Sequence, residues 1–447
     1  MDRQIHRVID LIDDSEQLIQ NMAIADARDR LRGSPDGMLG IQGSFALTVR
    51  DREQVLMARS LDRPMRYFLA KEVAGPLLIV AERIDEIADQ LQRLGYGDQF
   101  HPTYTRMVPA HHVTALRLIG CPDPNPQQRR FFAPPRATLA PDLDQIGDAY
   151  IEALTGEVTT WLDAQDPKAP LGVLFSGGID STAVLVTLYR ALIDRGDSAA
   201  RLKAFTLAVD GQGSDLEQAR RALAHLELGF LHEPVDAPSN ALDPLEAVEV
   251  IEDYKPLDVE CATMMLALLG GIRARYPHWR LIVDGDGGDE NLKDYPLEED
   301  NELTIRSVVS NSMLYQEGWG VDALKHSLTY SGGLSRACVR GRAPARRLGF
   351  LGFSPFTRPG LVRVAEAIPF DALTKGSTAR LYALKGEIVR RGLEHRYGRS
   401  MPIYPKRRFQ HGAATPSTFT SRFSVPEERY RAHFQTLWGA PTGARSI

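Results

Sequence analysis

Ser44 to Arg50 alternates, with Phe45, Leu47 and Val49 on one side, the pattern of a half-buried strand. Leu77 to Val80 is a short apolar run that predicts a buried strand. Behind it, Ile84, Ile87, Leu91 and Leu94 fall on one helical stripe. Together these describe a small α+β unit over residues 1–120. The stretch from Cys121 to Asp142 holds six prolines and little periodicity, and is read as a linker over 121–142.

From Leu143 the pattern changes. Leu171 to Phe175 reads as a strand, and Val184, Leu188, Ala191 and Leu192 as the buried stripe of the helix after it. Ala204 to Val209 is a second strand, Leu216 to Leu228 a second helix, Ala262 to Tyr276 a third, and Leu281 to Val283 a further buried strand. Such alternation implies an α/β unit over 143–447, a parallel sheet covered by helices on both faces. The chain beyond Glu302 reads as mainly helical with irregular loops.

Composition narrows the function classes. Of 447 residues, 43% are apolar and 25% charged, with net charge −5, so the chain as a whole offers no electrostatic draw for nucleic acid or an anionic membrane. Cys121, Cys261 and Cys338 lie far apart, without the spacing of a zinc or redox site, which suits a reducing compartment. The N-terminus mixes acids and bases and is not a signal peptide, and no apolar run reaches the roughly 20 residues of a membrane span. The expectation is a cytoplasmic protein.

The chemistry concentrates in two loops. Phe175-Ser176-Gly177-Gly178-Ile179-Asp180-Ser181-Thr182 stands between a strand and a helix. Gly177 and Gly178 let backbone N–H groups approach a phosphate, and the helix adds free N–H groups and its positive dipole end. Ser176, Ser181 and Thr182 offer hydroxyl donors. Asp180 cannot favour an anion by itself; beside a pyrophosphate it makes sense as a magnesium ligand. The alternative is a glycine turn with Asp180 capping a helix, but the full SGGxDS string at such a junction is far more specific. It also lacks the lysine of the GxxxxGK[ST] loop. Asp284 to Glu290, DGDGGDE, follows a second buried strand and should open at the same sheet edge. Asp289 beside Asp180 would give two carboxylates for magnesium; a calcium-like or purely structural acidic turn is the bland alternative.

These loops resemble those of the asparagine synthetase family, β-lactam synthetases included, which cut ATP between the α and β phosphates. The resemblance extends to Phe205-Thr206-Leu207 with Ser214-Asp215-Leu216, to Ile251-Glu252-Asp253-Tyr254 with Ala262-Thr263, and to Lys406-Arg407-Arg408-Phe409-Gln410-His411-Gly412, a KxxFxxG segment. It implies an adenine-nucleotide α-hydrolase-like sheet and a site in which Leu207, Gly285 and Asp286 help hold ATP. It also implies that Lys406 stabilises charge on the adenylate. Gly43 to Leu47, Ala58 to Pro64 and Ala81-Glu82 resemble the family's Ntn-type glutaminase domain.

The family pattern breaks twice. Residue 2 is aspartate, and no cysteine precedes Cys121, so the thiolate that glutamine hydrolysis requires is missing and the first unit reads as a scaffold. Leu351, in Gly349 to Phe356, stands where the family places a glutamate or, nearby, a tyrosine. Tyr330, Glu317 and His411 are the candidates to replace it. Arg336, Arg340, Arg342, Arg346 and Arg347 form the strongest charge cluster, either paired with Glu298, Glu299 and Asp300 or recognising an acidic substrate or carrier. His111-His112 reads as structural.

The resemblance implies an ATP- and magnesium-dependent ligase that joins a small-molecule carboxylate to an amine or ammonia. Its protein partners would be a separate ammonia source, a carrier, or a second copy of the chain as a homodimer, with neither membrane nor nucleic acid involved. Two other readings stay open: an ATP pyrophosphatase that modifies an RNA base, and an ATP-binding pseudoenzyme that binds a partner.

Overall fold

The computed structural model describes residues 5–118, 124–294, 297, 304–311 and 338–438. The first unit stacks two four-stranded sheets. One has the order β1 (Arg7–Asp10), β7 (Gly75–Ala81), β6 (Arg66–Glu72), β8 (Arg106–Met107). The other has the order β10 (Pro124–Arg130), β9 (His112–Leu118), β5 (Gln54–Arg59), β4 (Ala46–Asp51). β2 (Leu18–Ile19) and β3 (Gly43–Ser44) form a small separate ladder. Ala46, Val55, Met57, Tyr67, Leu78 and Val80 pack between the sheets. Helix α1 (Ile24–Arg32) covers the outer face of one through Leu31, Phe45 and Leu47, and α2 (Ile84–Arg93) covers the other through Phe68, Ile79, Ile87 and Leu91.

Two expectations are corrected here. The strand through Leu47 is buried on both faces, not one, because it lies between α1 and the sheet of β1, β7, β6 and β8; Ala46 and Thr48 are buried, as Leu47 and Val49 are. The proline-rich stretch read as a linker contains β10, paired antiparallel with β9 from Pro124↔Leu118 to Arg130↔His112. Prolines are tolerated there because β10 is an edge strand with one side free of ladder bonds. Phe131 and Phe132 then enter the same core as Phe45.

The second unit is a five-stranded, all-parallel sheet in the order β13 (His232–Ala237), β12 (Leu202–Val209), β11 (Leu171–Leu174), β14 (Leu281–Val283), β15 (Leu351–Phe353). Alternate strand residues feed two cores, as expected. Val173, Ala204 and Val283 face α3 (Leu143–Asp163), α4 (Ile179–Asp194) and the helix Thr378–Tyr397. Phe205, Leu207 and Ile282 face α7 (Pro256–Arg275). α4 is buried from Ser181 to Leu188, more than a stripe, because other helices pack on its outer side. The second predicted helix ends early: α5 spans Ser214–His225.

The two units meet across a charged seam. α6 (Pro244–Ile251) ends at Glu252, in a left-handed conformation, whose carboxylate lies 3.3 Å from buried Arg66 and accepts from the N–H of Ile84. Asp62 pairs with Arg358 at 3.0 Å. Among the described residues, the arginine cluster finds its partners here and nearby. Arg346 pairs with Glu82 at 2.8 Å and with Glu16 and Glu86, and Arg342 lies 3.5 Å from Glu82. Arg340 pairs with Asp258 and Arg347 with Glu249. Arg336, Glu298, Glu299 and Asp300 lie outside the described residues. A cleft of about 350 Å³ runs along this seam past Pro64, Glu82 and Arg346. Most of its charges pair with one another.

Candidate active site

The strand order reverses at β11: β12 and β13 run to one side, β14 and β15 to the other. Loops leaving neighbouring strands at such a switch point diverge and open a crevice at the carboxyl edge. The Ser176 loop leaves β11 and the Asp284 loop leaves β14, so the two acidic turns meet. Their contact is tight: a Cβ added to Gly285 would lie 3.0 Å from Asp180 Cβ and 3.0 Å from the Ser181 nitrogen. Gly177 has φ +74°, and its α-carbon faces the backbone of Ala219 on α5, so only glycine fits this turn. Ser176 Oγ and Ser181 Oγ lie 3.3 Å apart at the head of α4.

Sequence reasoning missed the residue at the centre. Lys385, on the helix Thr378–Tyr397, is 3% exposed in its side chain, and its ammonium bridges Asp180 and Asp289 with Asp294 at 3.6 Å. Its placement follows from a close helix crossing. Gly147 of α3 and Gly392 touch backbone to backbone, and a Cβ on Gly147 would meet Ile388 O at 2.8 Å. Two turns before Gly392, on the same helical face, Lys385 is thereby delivered to the loops. Lys406 reaches the same place from the other side, 3.1 Å from Asp289 and 3.2 Å from Asp294.

Burial pushes the Asp180 carboxyl up to about 7, against the pull of Lys385. Burial also works against charge on Asp289, yet Lys385 and Lys406 outweigh it and hold that carboxyl well below the usual range. Lys385 would lose its proton more easily if burial acted alone; Asp180, Asp289 and Asp294 hold it well above the ordinary lysine value.

Asp180 and Asp289 are the pair that the sequence assigns to magnesium. Among the described residues no three or more His, Cys, Asp or Glu side chains are grouped to hold a metal by themselves. The pair suits a metal that also takes phosphate oxygens and water, for which one or two carboxylates suffice. Asp180 Oδ1 is buried without a hydrogen-bond partner, an acceptor left for a cation.

Other assigned residues fall further out. Asp286 turns toward Gly341 and Asp284; burial, then Asp284 and Glu290, push its carboxyl well up. Leu207 is 1% exposed and belongs to the core beside α7. Gly178 caps α4, and Thr182, 1% exposed, lies within that helix. Gly412 explains the KxxFxxG spacing, because any side chain there would strike the Asp215 carboxylate.

Asp215 itself, 4% exposed, is pushed up to about 7 by burial, with Arg407 pulling weakly down. A raised carboxyl pKa means that the folded state holds its proton longer than the unfolded chain. Stability is therefore lost as pH climbs from about 4, the unfolded value, to about 7. Asp215→Asn should raise the melting temperature at pH 8 and leave it unchanged at pH 4, as thermal melts at the two pH values would show.

Leu351 is half-buried in β15, paired with Leu281, and packs against the core beside α3. It supplies no base. Tyr330 and Glu317 lie outside the described residues. His411 is exposed, with its ring edge-on to Phe419 at 4.5 Å. Cys261 is buried, and burial pushes its thiol up to about 11. His111 is 1% exposed and packs on Phe131 and Phe132.

The fold and site together define a parallel-sheet α/β protein with a glycine-lined acidic crevice at its switch point, closed by two lysines. Residues 163–335 match the family described as asparagine synthase. This part of the chain is similar to asparagine synthase, a likeness that suggests an ATP-dependent family forming amide bonds. The matched span holds both acidic loops; Lys385 and Lys406 come from the chain beyond it.

Proposed function

We propose that this protein uses ATP to adenylate a small-molecule carboxylate, releasing pyrophosphate, and then joins the acyl group to an amine or ammonia. The carrying observation is that the SGGIDS loop, the DGDGGDE loop and two lysines converge at one sheet edge.

A triphosphate in this crevice would meet the N–H groups at the head of α4, the hydroxyls of Ser176 and Ser181, and the ammonium of Lys385. Asp180 and Asp289 would hold magnesium, which neutralises charge on the leaving pyrophosphate when bound. The carboxylate oxygen attacks the α-phosphorus as its bond to the β-phosphate oxygen breaks. The amine then attacks the acyl carbon and AMP leaves. Lys406 is more exposed than Lys385 and would steady the oxyanion that develops as the acyl group is attacked. With leucine at 351 and no cysteine ahead of Cys121, the amine arrives unprotonated from solution, from a partner that supplies ammonia or carries the substrate, or from the substrate itself. The first unit serves as a scaffold, and the setting is cytoplasmic; no helix among the described residues is long and apolar enough to cross a membrane. The Cys261 thiol is buried, and burial pushes it up, which counts against the RNA-thiolating alternative.

The test is ATP–pyrophosphate exchange screened against a panel of carboxylates. Lys406→Ala should bind magnesium–ATP within about threefold of wild type and lose about 10²- to 10³-fold in turnover. Absence of exchange with every acid, together with no affinity for magnesium–ATP, would remove the proposal.

A further inference from the structure

Asp294 ends the turn after the short helix α8 (Gly288–Leu292), and no role falls to it from the motifs. The turn is held from behind. Lys293 takes a left-handed conformation (φ 56°), and its buried ammonium donates to Asn311 O at 2.7 Å and lies 3.8 Å from Glu366. The Asp294 N–H donates to Asp289 O at 3.0 Å, which ties both aspartates to one rigid piece. Asp294 is 7% exposed, with Oδ2 3.2 Å from Lys406 Nζ and 3.6 Å from Lys385 Nζ, and its carbonyl oxygen also accepts from Lys406.

Two ammonium groups and three carboxylates thus share one space. Asp180 and Asp289 both hold Lys385 and are also the pair that the ligase reading gives to the metal. A carboxylate drawn onto a divalent ion gives up much of its hold on an ammonium. Lys385, almost fully buried, would then stand with its charge uncompensated, a costly state. One aspartate in contact with both lysines is left over.

We propose that Asp294 is the positioning residue that holds Lys385 against the phosphate oxygens and Lys406 toward the acyl group once Asp180 and Asp289 engage the metal. This rests on the ligase reading for what the site binds. Asp294 acts through the lysines and touches no substrate. Its own charge repels pyrophosphate, so its loss has opposite effects on binding and on turnover, which distinguishes it from a residue that only supports the fold.

The experiment compares Asp294→Asn and Asp294→Glu with wild type in the full chain. Magnesium pyrophosphate binding is measured by calorimetry, and kcat and KM for ATP by pyrophosphate exchange. The Asn variant should bind magnesium pyrophosphate at least as tightly as wild type, and up to about tenfold more tightly. Its kcat should fall at least tenfold without a rise in KM, and the Glu variant should recover most of the loss. Unchanged kcat in the Asn variant, or weakened binding alongside the fall, overturns the inference while leaving the ligase reading intact. If the Asn variant does not fold, the Glu variant decides: kcat within about threefold of wild type supports the role, and a loss as deep as that of Lys406→Ala overturns it. A wild-type protein with no affinity for magnesium pyrophosphate overturns the ligase reading first and this inference with it.

Discussion

Lys385→Met should reduce ATP–pyrophosphate exchange by at least about 10³-fold, because it removes a buried cation that both acidic loops face. The change has a second signature. Without the ammonium, Asp180 faces Asp289 and Asp294 across a mostly enclosed space, with the more exposed Lys406 beside only the last two, and breaking a buried ion pair in this way costs about 3–5 kcal/mol. The variant should therefore melt well below wild type, and magnesium should raise its melting temperature by more than it raises that of wild type. Thermal melts with and without magnesium, together with the exchange assay, check both parts. Exchange within tenfold of wild type would show that Lys385 is only a strut.

Asp180→Ala is expected to abolish exchange, again by at least about 10³-fold, with a different effect on the fold. Lys385 keeps Asp289 and Asp294 as partners, so its charge stays compensated. The burial that pushes Asp180 up to about 7 means that its carboxylate contributes little net stability. The variant should melt within a few degrees of wild type while failing to bind magnesium–ATP. The contrast between an inactive, stable Asp180 variant and an inactive, unstable Lys385 variant follows directly from who shares whom. Equal melting losses in the two would contradict it.

The loops were legible because their chemistry is written in consecutive residues. A strand followed by two glycines, an acid and three hydroxyls within seven positions leaves few alternatives, and the structure places Ser176 to Thr182 at the strand-to-helix junction accordingly. The parallel sheet was legible for a similar reason, since Val173, Ala204 and Val283 sit in runs too short and too apolar for anything else. β10 was not. Its prolines read as a linker because pairing at a sheet edge leaves no periodic trace, and only the neighbour β9 makes a strand of it. The arginine cluster was visible as charge, but its partners Glu16, Glu82 and Glu86 lie more than 250 residues earlier.

Lys385 marks the limit most plainly. In Arg380-Leu381-Tyr382-Ala383-Leu384-Lys385-Gly386-Glu387 it is one polar position on an amphipathic helix, indistinguishable from its solvated neighbours. Its burial depends on how closely two helices far apart in the chain approach, and a contact between Gly147 and Gly392 sets that distance. Asp294 is similar: its partners come from a helix and a loop about 90 and 110 residues away. Local order along the chain determined the loops, the strands that aim them and the absence of a base at Leu351. Which cations fill the crevice, and which acid is left to hold them, was decided by packing. Coulomb forces act through space, whereas a sequence records only neighbours along the backbone.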